Sequence, residues 1–257
     1  MKKDFVYFIF FCLFSVCFVR AQNPKLQTVA PVFEKDTKCL NPKYLLFEVA
    51  SQKKQKPALL IYLHGAGGVG NDVMRLQGQV RALLSGIQKF DKEPCYIVVP
   101  QCLRTRKSGG RGTWEASDLD LLLKDLHARL RFDTNRIYLT GNSMGGYGSW
   151  TWGGQSPQHF AAIAPLVGGT GPGGPKDVTP HLDKWAANLA KVPVYAFVGA
   201  QDRVVPAERS QTMVKTIRQA GGTQANIKVY PNEGHNIRNL VYSSKEFYDW
   251  MFAQKKK

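Results

Sequence analysis

A serine, an aspartate and a histidine, far apart in the chain, are the residues around which its chemistry can be organised. Ser143 lies in Thr140-Gly141-Asn142-Ser143-Met144-Gly145-Gly146-Tyr147-Gly148. Before it comes the mostly apolar run Arg136-Ile137-Tyr138-Leu139, and after it Ser149-Trp150-Thr151-Trp152. That reads as a strand, a sharp turn and a helix, the setting in which the serine of G-x-S-x-G becomes a nucleophile. The glycines have a steric purpose. So tight a turn holds Ser143 in a strained backbone conformation, and a Cβ at 141 or 145 is expected to collide with the adjoining strand or helix. A helix starting at the serine also aims unbonded backbone N–H groups at the reacting atom. A glycine-rich turn with a chance serine has the same five residues, so the reading depends on the partners.

Acyl transfer builds negative charge on a carbonyl oxygen, and each preorganised backbone donor that stabilises it is worth ~3–4 kcal/mol. The run Ala58-Leu59-Leu60-Ile61-Tyr62-Leu63 leads into His64-Gly65-Ala66-Gly67-Gly68-Val69-Gly70, a turn whose backbone can approach a substrate closely. The expected oxyanion donors are the N–H groups of Ala66 and Met144, with His64 holding the loop. Gly65 to Gly70 also satisfies G-x-G-x-x-G after a strand, with Asp91 as a distant acid, so a dinucleotide site is the competing reading. Asp202 follows the apolar run Val194 to Val198, and His235 follows Ile227 to Tyr230. Both therefore fall just past predicted strand ends, in the order Ser143, Asp202, His235. In that arrangement His235 takes the serine proton and Asp202 orients the imidazole. His127, His159 and His181 lie in a leucine-rich helix or in polar and loop contexts.

The elements that must position these residues alternate between strand and helix, which predicts a mostly parallel sheet covered on both faces. The expected strands are Lys43 to Ala50, Ala58 to Leu63, Tyr96 to Pro100, Ile137 to Thr140, Ala161 to Leu166, Val194 to Val198 and Ile227 to Tyr230. Helices are expected over Asp72 to Lys89, Ala207 to Ala220 (stopped by Gly221) and Ser244 to Gln254. A further helix carries Leu119, Leu122, Leu123, Leu126 and Leu130, with Ser117 as its N-cap. The run from Gly168 to Pro175 is read as an irregular surface loop. It is too short for a large lid, so an open cleft is expected, within a single domain over residues 22–257.

Residues 1–21 read as a signal peptide: a basic start at Lys2 and Lys3, an apolar stretch from Phe5 to Val19, and Val19-Arg20-Ala21 before a mature start at Gln22. The apolar stretch is shorter than the ~20 residues of a spanning helix. Export to the periplasm or the medium is the expectation, with no stable membrane insertion after cleavage. Of the five cysteines, Cys12 and Cys17 leave with that segment, so Cys39, Cys95 and Cys102 can form one disulfide at most. Removing residues 1–21 takes away Lys2, Lys3 and Arg20 against Asp4, so the formal charge of +16 falls by two to +14. Such a charge favours anionic partners such as acidic polysaccharides. The basic residues are scattered apart from Lys53-Lys54-Gln55-Lys56 and Lys255-Lys256-Lys257, and no nucleic-acid module accompanies them, so no nucleic-acid partner is expected.

Tyr62-Leu63-His64-Gly65-Ala66-Gly67, the segment Asp133 to Gly141, Ser143-Met144-Gly145-Gly146-Tyr147-Gly148 and Gly234-His235-Asn236 together resemble the α/β-hydrolase group of bacterial "predicted peptidases". That group is similar to phospholipase/carboxylesterase-type, feruloyl-esterase and polyhydroxybutyrate-depolymerase-like enzymes. The resemblance implies an α/β-hydrolase fold without a large lid, a Ser143–Asp202–His235 triad, no cofactor and no metal. It implies cleavage of carboxylic esters, of acetyl or feruloyl type on polysaccharide or in small esters. The chain departs from the group's pattern at Gly68-Val69-Gly70-Asn71-Asp72 and at Asn142. Trp114 falls where relatives place a tryptophan near the substrate, which reads either as an aromatic platform or as packing. Gln101, just past a strand end, is a second pocket candidate. The alternatives are a serine peptidase with the same triad and a catalytically silent polysaccharide-binding protein. Oligomeric state is not legible.

Overall fold

The computed structural model describes residues 25–28, 36–50, 54–90, 93–104, 112–171 and 178–256. The signal segment 1–21, Lys53, Asp91, Gly109–Arg111, Pro172–Pro175 and Lys257 lie outside the described residues. The strands are β1 (Lys25–Thr28), β2 (Leu40–Val49), β3 (Ala58–Leu63), β4 (Cys95–Cys102), β5 (Ile137–Asn142), β6 (Ala162–Leu166), β7 (Val194–Gly199) and β8 (Ala225–Tyr230). The helices are α1 (Gln77–Phe90), α2 (Ala116–Arg129), α3 (Met144–Gln155), α4 (Leu182–Leu189), α5 (Glu208–Gln219), α6 (Arg238–Tyr242) and α7 (Lys245–Phe252).

The strands form one sheet in the order β1-β2-β4-β3-β5-β6-β7-β8. β1 and β2 run antiparallel to their neighbours, and every other pairing is parallel. The centre is β3, paired with β4 through Ala58↔Cys95 and with β5 through Leu59↔Ile137. All six of its residues are buried, because alternate side chains enter different cores. Leu59, Ile61 and Leu63 pack with α2, α3, α4 and α5, through residues such as Leu122, Trp150, Trp185 and Met213. Leu60 and Tyr62 pack on the other face with α1, α6 and α7, through Leu83, Tyr242 and Phe247. The chain leaves β3 for β4 on one side and crosses back to β5 on the other. The crevice opened at such a reversal, outside the carboxyl ends of the strands, is where open α/β sheets take their ligands.

Several boundaries differ from those expected, each for a local reason. The stretch from Asp72 begins as a 3-10 turn, Val73–Leu76, and becomes α-helical at Gln77, because the Asp72 carboxylate accepts the Met74 N–H and caps the turn. Ser117 is not the N-cap of α2; Glu115 is, extended at φ −93° and ψ 126°, and its carbonyl accepts the Leu119 N–H. Within the run from Gly168, the residues up to Thr170 are buried rather than on the surface. A Cβ on Gly168 would lie 2.4 Å from the Gly146 carbonyl carbon, so this glycine serves close approach to α3. β1, α4 and α6 carried no sequence signal that was read. β4 is longer than expected, with Cys95 and Cys102 as its first and last residues, and Cys39, Cys95 and Cys102 are all thiols. Among the described residues no helix is long and apolar enough to cross a membrane.

The last helix is fastened to the first by one hydroxyl: Tyr248 donates to Leu83 O at 3.1 Å and to Tyr242 O at 2.7 Å, in a fully packed setting. Tyr248→Phe leaves those carbonyls without that donor. It is expected to lower the unfolding free energy by about 1–2 kcal/mol in a urea titration, at unchanged denaturant slope.

Candidate active site

Ser143 sits between β5 and α3 with φ 56° and ψ −118°, a conformation that L-residues rarely adopt. The steric reason given for the glycines is visible. A Cβ on Gly145 would lie 1.9 Å from the Leu63 carbonyl oxygen, and one on Gly141 would lie 2.5 Å from that of Gly145. The turn is held by the Ser143 N–H donating to Leu166 O at 2.9 Å and by Ser143 O accepting from Tyr147 N at 3.0 Å.

Asp202 follows β7, His235 follows β8, and the fold brings both to the serine. His235 Nε2 lies 2.8 Å from Ser143 Oγ, and Nδ1 lies 2.7 Å from Asp202 Oδ2. A carboxylate only accepts, so Nδ1 carries the proton and the Nε2 lone pair faces the hydroxyl. The Asp202 side chain has no exposure, whereas His235 retains 19%. Its second oxygen is also occupied, accepting the N–H groups of Val204 at 2.8 Å and Val205 at 2.9 Å. The buried charge is thus hydrogen-bonded on both oxygens and cannot swing away.

The loop after β3 runs through a 3-10 turn, Ala66–Gly68, beside the elbow. A Cβ on Gly65 would lie 3.6 Å from Ser143 Cβ and 3.0 Å from Asn142 Nδ2. Met144 is the first residue of α3, so no carbonyl stands one turn earlier in that helix to take its N–H. Among the described residues neither the Met144 nor the Ala66 N–H donates to a backbone carbonyl. The end of β4 pins this loop from beneath. Gln101 Nε2 donates to Gly68 O at 2.9 Å and Asp72 O at 3.0 Å, while its Oε1 accepts from Asn41. Gly70 N donates to Cys102 O at 3.0 Å.

His64 holds the loop, as expected from the sequence. Its Nδ1 donates to Gly65 O at 2.7 Å, its Nε2 accepts the Cys102 N–H at 3.0 Å, and its carbonyl accepts from Trp114 Nε1 at 3.2 Å. Both pocket candidates are corrected by this bracing. Trp114 is only 6% exposed, its indole 4.8 Å from the His64 ring and pressed on Gly148, so it packs under the loop rather than offering a platform. Gln101 is buried, with both ends of its amide already engaged. Asn142 also has a structural partner: its Oδ1 accepts the Tyr62 hydroxyl at 2.7 Å. Burial pushes that hydroxyl up to about 12, against the pull of the adjacent Arg238 guanidinium. Arg238, three residues past His235, was not read from the sequence, and only its proximity to the histidine could have drawn attention to it.

The glycine run does not open directly into an α-helix, as a dinucleotide fingerprint requires; α1 starts only at Gln77. Among the described residues, no group of three or more His, Cys, Asp and Glu is gathered that could hold a metal ion. A hollow of about 390 Å³, lined by Gly154, Gln155, His181, Lys184 and Trp185, lies at the far end of α3 from Ser143. The serine itself is half-buried.

A parallel-rich sheet with helices on both faces, a strained serine after one strand, and an acid and a histidine after later ones define an α/β hydrolase. No large lid stands among the described residues. A family model described as "Dienelactone hydrolase family" matches residues 109–245, more than half of the chain. The protein belongs to that family. It is 37% identical over 106 residues to a Salmonella typhimurium protein named "Putative carboxymethylenebutenolidase", which covers 40% of this chain and 37% of that one. The chain therefore spans little more than a third of that relative's length. Among solved structures it resembles a thermostable esterase, with TM-score 0.71 and 26% identity over 90% of this chain and 63% of the other. It shares its fold with a ferulic acid esterase, with TM-score 0.63 and 16% identity over 90% and 98% of the two chains.

His64 makes the loop sensitive to acid. Both ring nitrogens are engaged only when the ring is neutral, and burial pushes its pKa from the ordinary 6.5 down to about 4. Between those values the unfolded chain binds the extra proton and the folded one does not. The stabilisation is complete above pH 6.5 and is lost as the pH falls through 4, about 3 kcal/mol in all. Between pH 7 and 4.5, the unfolding free energy of His64→Gln is expected to fall less steeply than that of the wild type. Equal slopes would show that His64 is not the group responsible.

Proposed function

We propose that this protein is a serine hydrolase that cleaves carboxylic esters through an acyl-serine intermediate. The observation that carries the reading is the 2.8 Å approach of His235 Nε2 to Ser143 Oγ, backed by the 2.7 Å contact of Nδ1 with Asp202. Ser143 Oγ attacks the ester carbon and its proton passes to Nε2. The carbonyl oxygen, now an oxyanion, is met by the Ala66 and Met144 N–H groups. When the tetrahedral species collapses, the proton moves from Nε2 to the departing alkoxide. Water then attacks the acyl-serine, giving a proton to Nε2, and the acid leaves as that proton passes from Nε2 to Ser143 Oγ. Asp202 fixes the imidazole tautomer and balances its charge in both halves.

Acetyl or feruloyl-type esters, on polysaccharide or as small molecules, are the proposed substrates. The support is the resemblance of the motifs to esterases of that kind, and a mature charge of +14 that draws the protein to anionic polymers. Export is part of the proposal and rests on the make-up of residues 1–21. It predicts that protein recovered outside the cytoplasm begins at Gln22 when its terminus is read by mass spectrometry. An intact Met1 there would overturn it.

Ser143→Ala is expected to lower kcat/KM on short-chain aryl esters by at least about 10³-fold. The circular dichroism spectrum and melting temperature should stay close to those of the wild type. Near-wild-type turnover by that variant would end the proposal. Serine-dependent cleavage of aminoacyl anilides, with none of esters, would select the peptidase.

A further inference from the structure

The oxyanion loop is largely glycine, and the two side chains expected to line a pocket lie beneath it. Binding energy for the rest of a substrate must therefore come from elsewhere on the same edge of the sheet. Five large apolar residues stand exposed among the described residues: Met74, Val178, Val204, Val229 and Leu240. Three of them occupy connections that leave the carboxyl end of a strand for the next helix, and a fourth lies on the helix that follows such a connection. Met74 lies between β3 and α1, Val178 between β6 and α4, and Val204 between β7 and α5, while Leu240 is on α6 after β8. Val229 lies on β8 itself. Among the described residues, the connections that return from helix to strand, at the far edge, carry none.

Three of these residues are also fixed through their backbone, two of them by groups beside the site. The Val204 N–H is bonded to Asp202 Oδ1, so a residue 53% exposed is fixed two positions from the triad acid. Met74, 45% exposed, donates its N–H to Asp72 Oδ1, and the Asp72 carbonyl is held in turn by Gln101. Leu240, also 45% exposed, lies five residues past His235, on a helix anchored by the buried Ile237, Val241 and Tyr242. Single exposed apolar residues are ordinary. Four of five on the catalytic edge, two of them with backbones bonded to Asp202 and Asp72, are more than scattered exposure.

We propose that Met74, Val204 and Leu240, with Val178, form an apolar rim that takes the alkyl or aryl part of the ester, so that among the proposed acetyl and feruloyl-type substrates those with a larger apolar group on the acyl or the alcohol side are preferred. This rests on the serine-hydrolase reading and adds its substrate class. A methylene wholly withdrawn from water raises affinity about fourfold, and one lying on a rim about twofold.

Two matched series test the proposal and separate its two sources: 4-nitrophenyl esters from acetate to octanoate, and acetates of alcohols of increasing apolar size. In at least one of them kcat/KM is expected to rise by about twofold per methylene over the first few. Val204→Thr and Leu240→Gln should flatten that slope, and Val229→Thr, outside the rim, should leave it as it is. Equilibrium binding of the same esters to Ser143→Ala gives a readout independent of turnover, in which Kd should fall with chain length. Flat series in both turnover and binding would overturn the rim while serine-dependent acetate cleavage still upheld the hydrolase. Length-dependent binding without any ester cleavage would uphold the rim and overturn the hydrolase.

Discussion

The site depends on the approach of Gly145 to the carbonyl of Leu63. The contact is so close that any side chain at 145 would overlap that oxygen. It lets α3 start directly against the end of β3, and Ser143 must then turn through a positive φ to join β5 to it. Such a conformation costs of order 1–3 kcal/mol and persists only where its surroundings hold it. Here the hold comes from the hydrogen bonds of Ser143 to Leu166 and Tyr147, and from Trp150 and Trp152, both wholly buried further along the same helix. Val167, just past the end of β6, is the other non-glycine with positive φ among the described residues, so strain is confined to the catalytic edge.

What the strained turn presents, the neighbouring loops meet in a fixed geometry. Asp202 is bonded through both oxygens before any substrate arrives, and the loop bearing Ala66 is braced by His64, Gln101 and the backbone of Cys102. Groups already oriented toward a developing charge need no reorganisation at the moment of reaction, which is where electrostatic catalysis gains most. The bracing comes from β4, a strand that contributes no residue to the chemistry. Its last two residues hold the loop by side chain and main chain alike, so the length of that strand fixes where Ala66 stands.

The central strands and the order of Ser143, Asp202 and His235 were legible because they rest on strong local signals. Ala58–Leu63 is apolar throughout, as a strand buried on both faces can be, and its bounds match those expected to the residue. Elements governed by tertiary contact were not legible. β1 is four residues long and gains its place by pairing with β2. α6 has five residues, too few to show a helical period. Which of the two readings of Trp114 holds, and what Gln101 does, were not legible for a related reason. Position after a strand end says that a residue is near the site, but not whether its side chain faces substrate or the underside of a loop. That distinction lay in partners distant in sequence, His64 for one and Asn41 with Gly68 for the other.

Kinship and geometry reach different parts of the site. The family match runs from residue 109 to 245 and so contains Ser143, Asp202 and His235, but it begins after the loop that carries Ala66. That loop is where the chain also departs from the familiar pattern, at Gly68-Val69-Gly70-Asn71-Asp72. The structure explains the departure. Gly68 lies so close to the His64 ring that a Cβ there would come within 2.5 Å of it, and the Gly68 and Asp72 carbonyls are the two that Gln101 holds. Three of the five unusual residues, Gly68, Gly70 and Asp72, are thus points at which the loop is braced. Bracing of this kind fixes the course of the loop beside the serine, where the Ala66 and Met144 N–H groups have no backbone acceptor among the described residues. In the proposed reading the acid–base chemistry belongs to the elbow and the triad, and the choice of substrate to the connections around them.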